Sequence, residues 1–251
     1  SLRKGAPTPD SLGMAAPRVL CVFGSETGTA MSALKDCVKK WLAREGLKFK
    51  VLDTLSGNAC AKKLGFEGGS AQGLNLEKLC KDYDVLLVAT SSHGSGDPPS
   101  NYGNFIQLIN EEATLKSGAL TGMQHAVIGF GSSTYSTFQN IPRLTDKFLG
   151  ECGSRRMVQR AEIDETKGEA EEQPEYTRWF EETFSALQTL GKASEPPICD
   201  WSVPGSTITA LDGDDESGGG GSATVMYIGM GALVAVLAAG YLYFTQEEVV
   251  G

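Results

Sequence analysis

Three short runs of glycine and hydroxyl-bearing residues carry the chemistry in this 251-residue chain. The first, Gly24-Ser25-Glu26-Thr27-Gly28-Thr29-Ala30, sits between an apolar run, Arg18–Phe23, and residues of helical spacing. A strand-to-helix turn of this kind suits a phosphate, because backbone N–H groups converge on it and the helix N-terminus adds partial positive charge. Ser25, Thr27 and Thr29 each add a hydroxyl donor. No lysine follows Gly28 and the pattern is not G-x-G-x-x-G, which excludes a nucleotide-hydrolysing P-loop and a dinucleotide fingerprint. A cradle of neutral donors suits a monophosphate. A plain helix cap is the competing reading, but a cap needs one Ser or Thr and three alternate positions are filled here.

The second run, Ala89-Thr90-Ser91-Ser92-His93-Gly94-Ser95-Gly96-Asp97-Pro98-Pro99, and the third, Gly129-Phe130-Gly131-Ser132-Ser133-Thr134-Tyr135, also close apolar stretches. The elements that must hold them alternate in type. Runs at Arg18–Phe23, Lys48–Asp53, Asp84–Ala89 and His125–Phe130 read as parallel strands, with a fifth over Arg155–Ile163. Helical spacing marks Ala30–Glu45, stopped by Gly46, then Asn101–Glu112, Ile141–Leu149 and a last amphipathic helix through Tyr176, Trp179, Phe180, Phe184 and Leu187. Ser56–Gly73, polar and glycine-rich, reads as a loop or short helix. The alternation predicts an α/β fold, a doubly wound five-stranded parallel sheet with helices on both faces. With strand order 2-1-3-4-5 the three loops meet outside the carboxyl ends, at the switch between strands one and three, where such sheets bind ligands.

SETGTA (25–30), SSHGSGDPP (91–99) and GFGSSTY (129–135), in this order and spacing, resemble the three FMN-binding loops of the flavodoxin family. Within that family the resemblance is to the FMN domain of the diflavin reductases, the group that includes NADPH–haemoprotein reductase and sulfite reductase, and it covers about residues 18–190. It implies FMN as cofactor, with Ser25, Glu26, Thr27, Gly28, Thr29 and Ala30 cradling the phosphate. Ser91, Ser92, His93 and Gly94 match the loop that borders the isoalloxazine ring, Gly94 standing at the glycine whose carbonyl accepts from the reduced N5–H. Gly131, Ser132, Ser133, Thr134 and Tyr135 match the third loop, Tyr135 at the aromatic that stacks on the outer ring face. Asp164 is assigned to the acidic position after the fifth strand, with Glu162 the other choice. Two positions depart from the pattern. Ser132 replaces a common asparagine, and His93 stands where the haemoprotein reductases carry an inner aromatic, usually tyrosine. A histidine can stack on the ring or titrate near neutral pH, and a positive charge there would favour reduced, anionic flavin; an exposed loop residue is the other reading.

Composition bounds the rest. The net charge of -9 excludes phosphate-driven binding of nucleic acid, and 41% hydrophobic residues is too many for a disordered acidic chain. Residues 1–192 hold all 22 basic residues and 23 acidic ones, so most of the net charge belongs to the eight acids after Lys192. Residues 162–182 hold nine acids and two bases, either a solvated helix face or a docking surface for basic redox partners. Six cysteines without a C-x-x-C pair, and two histidines, lack zinc-site spacing. Cys21, Cys37 and Cys80 read as small core residues in a reducing setting.

Residues 1–17, rich in Pro, Gly and Ser without an apolar core, are expected to be a flexible arm rather than a secretory signal. Residues 191–222 are an acidic Gly/Ser/Pro tether. Ala223–Phe244 is 22 uncharged residues, about 33 Å as a helix, with Tyr227 near one end and Tyr241, Tyr243 and Phe244 at the other. This predicts one transmembrane helix, a buried core helix being the competing reading. Gly231, Ala235 and Ala239 give it a small-residue stripe. With the short tail 245–251 behind it, the span is expected to be a tail anchor, the FMN domain facing the cytosol, at the endoplasmic reticulum or else the outer mitochondrial membrane. No second flavin domain or nicotinamide site is legible. The expected function is therefore a membrane-tethered electron shuttle between a reductase donor and a haem or other acceptor. An FMN-dependent quinone or nitro reductase and a non-redox flavodoxin-like adaptor are the alternatives.

Overall fold

The structure, a computed structural model, describes residues 15–68 and 75–190. Residues 1–14 of the arm, the tether 191–222, the apolar stretch 223–244 and the tail 245–251 lie outside the described residues. Among the described residues no helix is long and apolar enough to cross a membrane.

The elements run β1 (Arg18–Gly24), α1 (Thr29–Leu42), β2 (Lys50–Ser56), α2 (Gly57–Lys63), α3 (Lys78–Asp82), β3 (Val85–Ser91), α4 (Gly103–Leu115), β4 (Gln124–Gly131), α5 (Asn140–Glu151), β5 (Arg155–Arg156), β6 (Ala161–Asp164) and α6 (Pro174–Gln188). The sheet is parallel in the order β2-β1-β3-β4, with β5 and β6 sharing the far edge of β4. This is the doubly wound order 2-1-3-4-5 expected from the sequence. The first six residues of β3 are all buried, as a central strand covered on both faces must be. Alternate residues divide the core. Val19, Cys21, Leu87, Ile128 and Phe130 join α1 and α6 on one face, where Trp41 stacks on Phe180 and donates its indole N–H to the Phe180 carbonyl. The expected core cysteines Cys21 and Cys37 are there, and burial pushes their thiols up to about 12 and about 11. Cys80 is only half-buried.

Three elements differ from the sequence reading. β2 lies further along the chain than Lys48–Asp53, because polar Thr54 and Ser56 pair with Cys21 and Phe23 at the sheet edge, where one face meets solvent. α3 carries too few residues to show a period, yet Leu76, Leu79 and Tyr83 anchor it. The expected fifth strand, Arg155–Ile163, is broken. Between the pairs His125↔Arg156 and Ile128↔Ala161, β4 advances three residues and its neighbour five, so two residues must leave the ladder.

The break accommodates a buried ionic cluster. Asp146 on α5 accepts from Arg156 Nε (2.8 Å) and Arg160 Nη1 (2.6 Å), and His125 Nε2 lies 3.1 Å from its Oδ1. A carboxylate only accepts, so the His125 hydrogen is on Nε2; Nδ1 lies 2.9 Å from Ser154 Oγ. Arg160 also reaches Glu162, which Arg143 clasps through two bonds of 2.7 Å. Burial lowers the proton affinity of His125 against the pull of Asp146. Burial opposes the Asp146 charge, but bonds from His125 and Arg156 outweigh it and hold the carboxyl below its usual value.

Both groups bind protons more weakly folded than unfolded. Their contribution is therefore complete above the ordinary histidine value of about 6.5 and is lost as pH falls, first through His125 and then below about 4 through Asp146. The urea midpoint should drop between pH 7.5 and pH 5, and a His125→Asn variant should show less of that drop; equal midpoints in the native protein refute the account. Asp146→Ala takes the shared carboxylate away from two buried guanidiniums and should cost about 3–5 kcal/mol, read by the same denaturation.

Candidate functional site

The loop after β1 is shaped by its own backbone. Gly28 holds φ +95°, a left-handed value that admits few other residues, and turns the chain into α1. Its N–H donates to Ser25 Oγ at 2.9 Å. No side chain caps α1 and its first turn has no acid, so its leading N–H groups are left to a ligand. The Thr27 and Thr29 hydroxyls lie 3.2 Å apart and are exposed at this end, while Ala30 is buried against the core. An uncapped helix end with hydroxyls around it fits a phosphate.

Glu26 behaves differently from the other cradle residues. Its carboxylate turns away to accept from the Ser100 N–H at 2.8 Å, which with the nearby His93 lowers its pKa. Next to it, Ser25 and Asn101 exchange two bonds: Ser25 N–H donates to Asn101 Oδ1 (3.0 Å) and Asn101 Nδ2 to Ser25 O (3.1 Å). The sequence places Asn101 at the start of a helix, but α4 starts at Gly103 and Asn101 instead clamps the phosphate loop. Its sequence signal is an asparagine directly before a helix, which marks many turns and no particular one. Gly24 closes the underside. A Cβ there would lie 2.5 Å from Thr90 Oγ1 and from the buried Tyr102 ring.

After β3, Ser91 ends the strand and the chain folds into a tight hairpin. His93 N–H donates to Asp97 O at 2.8 Å, with Gly94 and Gly96 both at positive φ. α5 pins it: Asn140 Nδ2 donates to Gly96 O (2.9 Å) and Ile141 N–H to Ser92 Oγ (3.0 Å). After β4, Ser132 Oγ and Thr134 Oγ1 lie 2.7 Å apart, and Ser133 N–H donates to Asp164 at 3.0 Å. Asp164 is buried and does not line the cleft. Burial opposes its charge, but bonds from Ser133 and Thr166 prevail and hold its carboxyl far below the usual range. It is the post that holds the third loop.

Between the second and third loops lies a cleft of about 260 Å³. The expected residues Ser92, His93, Gly94, Gly131, Ser132 and Tyr135 line it, joined by Thr137, Phe138 and Gln139, which the sequence reading missed. Tyr135 is 64% exposed, a large aromatic that a flat ring would cover. A larger hollow, about 650 Å³, surrounds Ser154 at the opposite ends of the strands, away from all three loops. A metal-ligand cluster is absent among the described residues. The acids of 162–182 are partly spent: Glu162, Glu171, Glu181 and Glu182 pair with Arg143, Lys40, Arg44 and Arg178, and Asp164 is buried.

An uncapped helix end that fits a phosphate, beside an aromatic-walled cleft, both at the switch point of a doubly wound sheet, defines a flavin-mononucleotide-binding protein. The chain belongs to the flavodoxin family, whose model matches residues 21–179, and its cofactor is FMN. Over 169 residues it is 36% identical to methionine synthase reductase of Caenorhabditis elegans, covering 67% of this chain and 21% of that protein. Over 190 residues it is 33% identical to a bifunctional cytochrome P450/NADPH–P450 reductase of Bacillus cereus, covering 73% and 15%. A third relative, the NADPH–cytochrome P450 reductase of Candida tropicalis, is 30% identical, covering 67% and 22%. The chain thus spans between 15% and 22% of the length of these relatives, and it is homologous to the electron-transfer FMN domain of such reductases.

Thr27→Ala and Thr29→Ala should each weaken FMN binding roughly 10-fold or more, the value of a hydrogen bond to a charged group. Asn101→Ala should weaken it as well, although Asn101 acts only by holding Ser25. Quenching of FMN fluorescence on titration measures all three; unchanged affinity in the threonine variants would place the phosphate elsewhere.

Proposed function

We propose that this chain is a membrane-tethered FMN electron shuttle that accepts electrons from a reductase partner and passes them to a haem or other redox acceptor at the same membrane. The carrying observation is the open cleft with Tyr135 exposed at its wall. A ring seated there has an edge that a partner can approach directly, as transfer between proteins requires. The relatives, named as reductases of methionine synthase and cytochrome P450, support a protein acceptor. The uncharged stretch 223–244 supports the tether, with the acidic segment before it as spacer. Holding the flavin domain on the cytosolic face, with the endoplasmic reticulum favoured, would raise the effective concentration of shuttle and acceptor.

FMN supplies one- and two-electron redox chemistry when bound. The residues of this chain bind and orient it. α1 and the Thr27 and Thr29 hydroxyls take the phosphate, the pinned hairpin at Ser92–Gly94 sets one wall, and Asp164 fixes the loop that carries Tyr135. None of these is a hydride donor, so the chain is expected to need a reductase to load electrons.

Stopped-flow mixing of the FMN-loaded chain with NADPH should leave the flavin absorbance unchanged over seconds, whereas adding a diflavin-type reductase domain should bleach it. Rapid bleaching by NADPH alone would make the protein a reductase in its own right. Flotation with liposomes tests the tether: the full chain should float and residues 15–190 should not.

A further inference from the structure

The cleft that receives the flavin ring is walled by hydroxyl, amide, aromatic and glycine groups. Among the described residues lining it, His93 is the one that can become cationic. It is exposed, so its imidazole can exchange protons with solvent. Its backbone is fixed, closed by the His93–Asp97 bridge and pinned from α5 through Gly96 and Ser92. The charged groups facing it are few. Glu26, from the loop after β1, is near enough to interact with it electrostatically and is itself held by Ser100. Asp97 stands opposite it across the bridge. Tyr135, from the loop after β4, is the ionisable group on the facing wall, and α5 contributes only Asn140 and Ile141. A cation at His93 therefore stands in the wall of the ring site, with the Glu26 carboxylate close enough to interact with it.

We propose that His93 is the proton-linked charge partner of the bound flavin: its imidazole takes a proton from solvent when the flavin is reduced and returns it on oxidation. The proposal rests on the assignment of FMN to this cleft. Two electrons come from an external reductant of the nicotinamide or dithionite class. FMN held in this cleft would take one solvent proton on reduction and would keep one negative charge. Further solvent protons go to the imidazole, on average about half a proton per molecule for a tenfold rise in its affinity, and offset part of that charge; no bond forms between His93 and the flavin. Reoxidation returns both electrons to the acceptor and the protons taken up to water. A unit charge a ring-width away from a partly exposed imidazole raises its proton affinity about tenfold. Near neutral pH, where histidines titrate, reduction then draws more protons than the flavin alone requires.

The test uses the full chain loaded with FMN. The chain has two histidines, and His125 is buried, so the ring signals of His93 are separable by NMR. Titrations are run in the oxidised state and after anaerobic photoreduction. The expected result is a His93 midpoint about one pH unit higher in the reduced protein, with His125 unmoved. In parallel, an indicator dye should report greater proton uptake on reduction in the native chain than in His93→Gln near pH 7. A His93 midpoint that is equal in both states, or equal proton uptake in native and His93→Gln protein, overturns the proposal while leaving FMN bound. Failure to retain FMN, visible as free-flavin fluorescence before any reduction, overturns the cofactor assignment and the proposal together.

Discussion

The leading N–H groups of α1 have no side-chain partner, and the rest of the site is organised around that constraint. A helix end left open beside a strand end is stable in water but is stabilised further by an anion. Keeping it open requires a loop that neither caps the helix nor collapses onto it. Gly28 provides the left-handed turn, and Ser25 spends its hydroxyl on the loop itself, on Gly28 N–H, rather than on the helix. Asn101 and Ser100, arriving from the other side of β1, hold Ser25 and Glu26 in place. The only acid in the loop is thereby turned aside from the position a phosphate would take.

The second and third loops depend on α5 and β6 in the same way. Asn140 and Ile141 at the start of α5 hold the hairpin that carries His93, and Asp164 at the end of β6 holds the loop that carries Tyr135. α5 is in turn fixed to the far edge of the sheet by Asp146, which gathers His125, Arg156 and Arg160. The buried carboxylate is satisfied by two guanidiniums and an imidazole where the fifth strand breaks, Arg156 and Arg160 reaching it from either side of the break. The resulting edge is held by ionic contacts as well as by ladder pairing, and its strength depends on pH for that reason.

Much of this was legible before any coordinates. β1, β3 and β4 read directly because strands buried on both faces show as unbroken apolar runs. The three loops read directly because phosphate and ring binding demand small, hydroxyl-bearing residues at strand ends. The edge read poorly: β2 was displaced because Thr54 and Ser56 look like loop residues, and the break between β5 and β6 exists only relative to the register of β4. The acids around 162–182 offered two readings, and the structure shows that four of them pair with bases on the chain itself.

The sequence by itself determined the alternation of strands and helices and the loop chemistry, because each is written in local spacing, and the resemblance of its three loops pointed to the family and its cofactor. Tertiary structure decided which groups in the site are spent and which are free. Glu26 and Asp164 were both expected against FMN, yet one is bound to Ser100 and the other to Ser133 and Thr166. Asn101, 76 residues from Ser25, became part of the phosphate loop. Such contacts follow from strand order and register, which bring together residues that no local pattern relates.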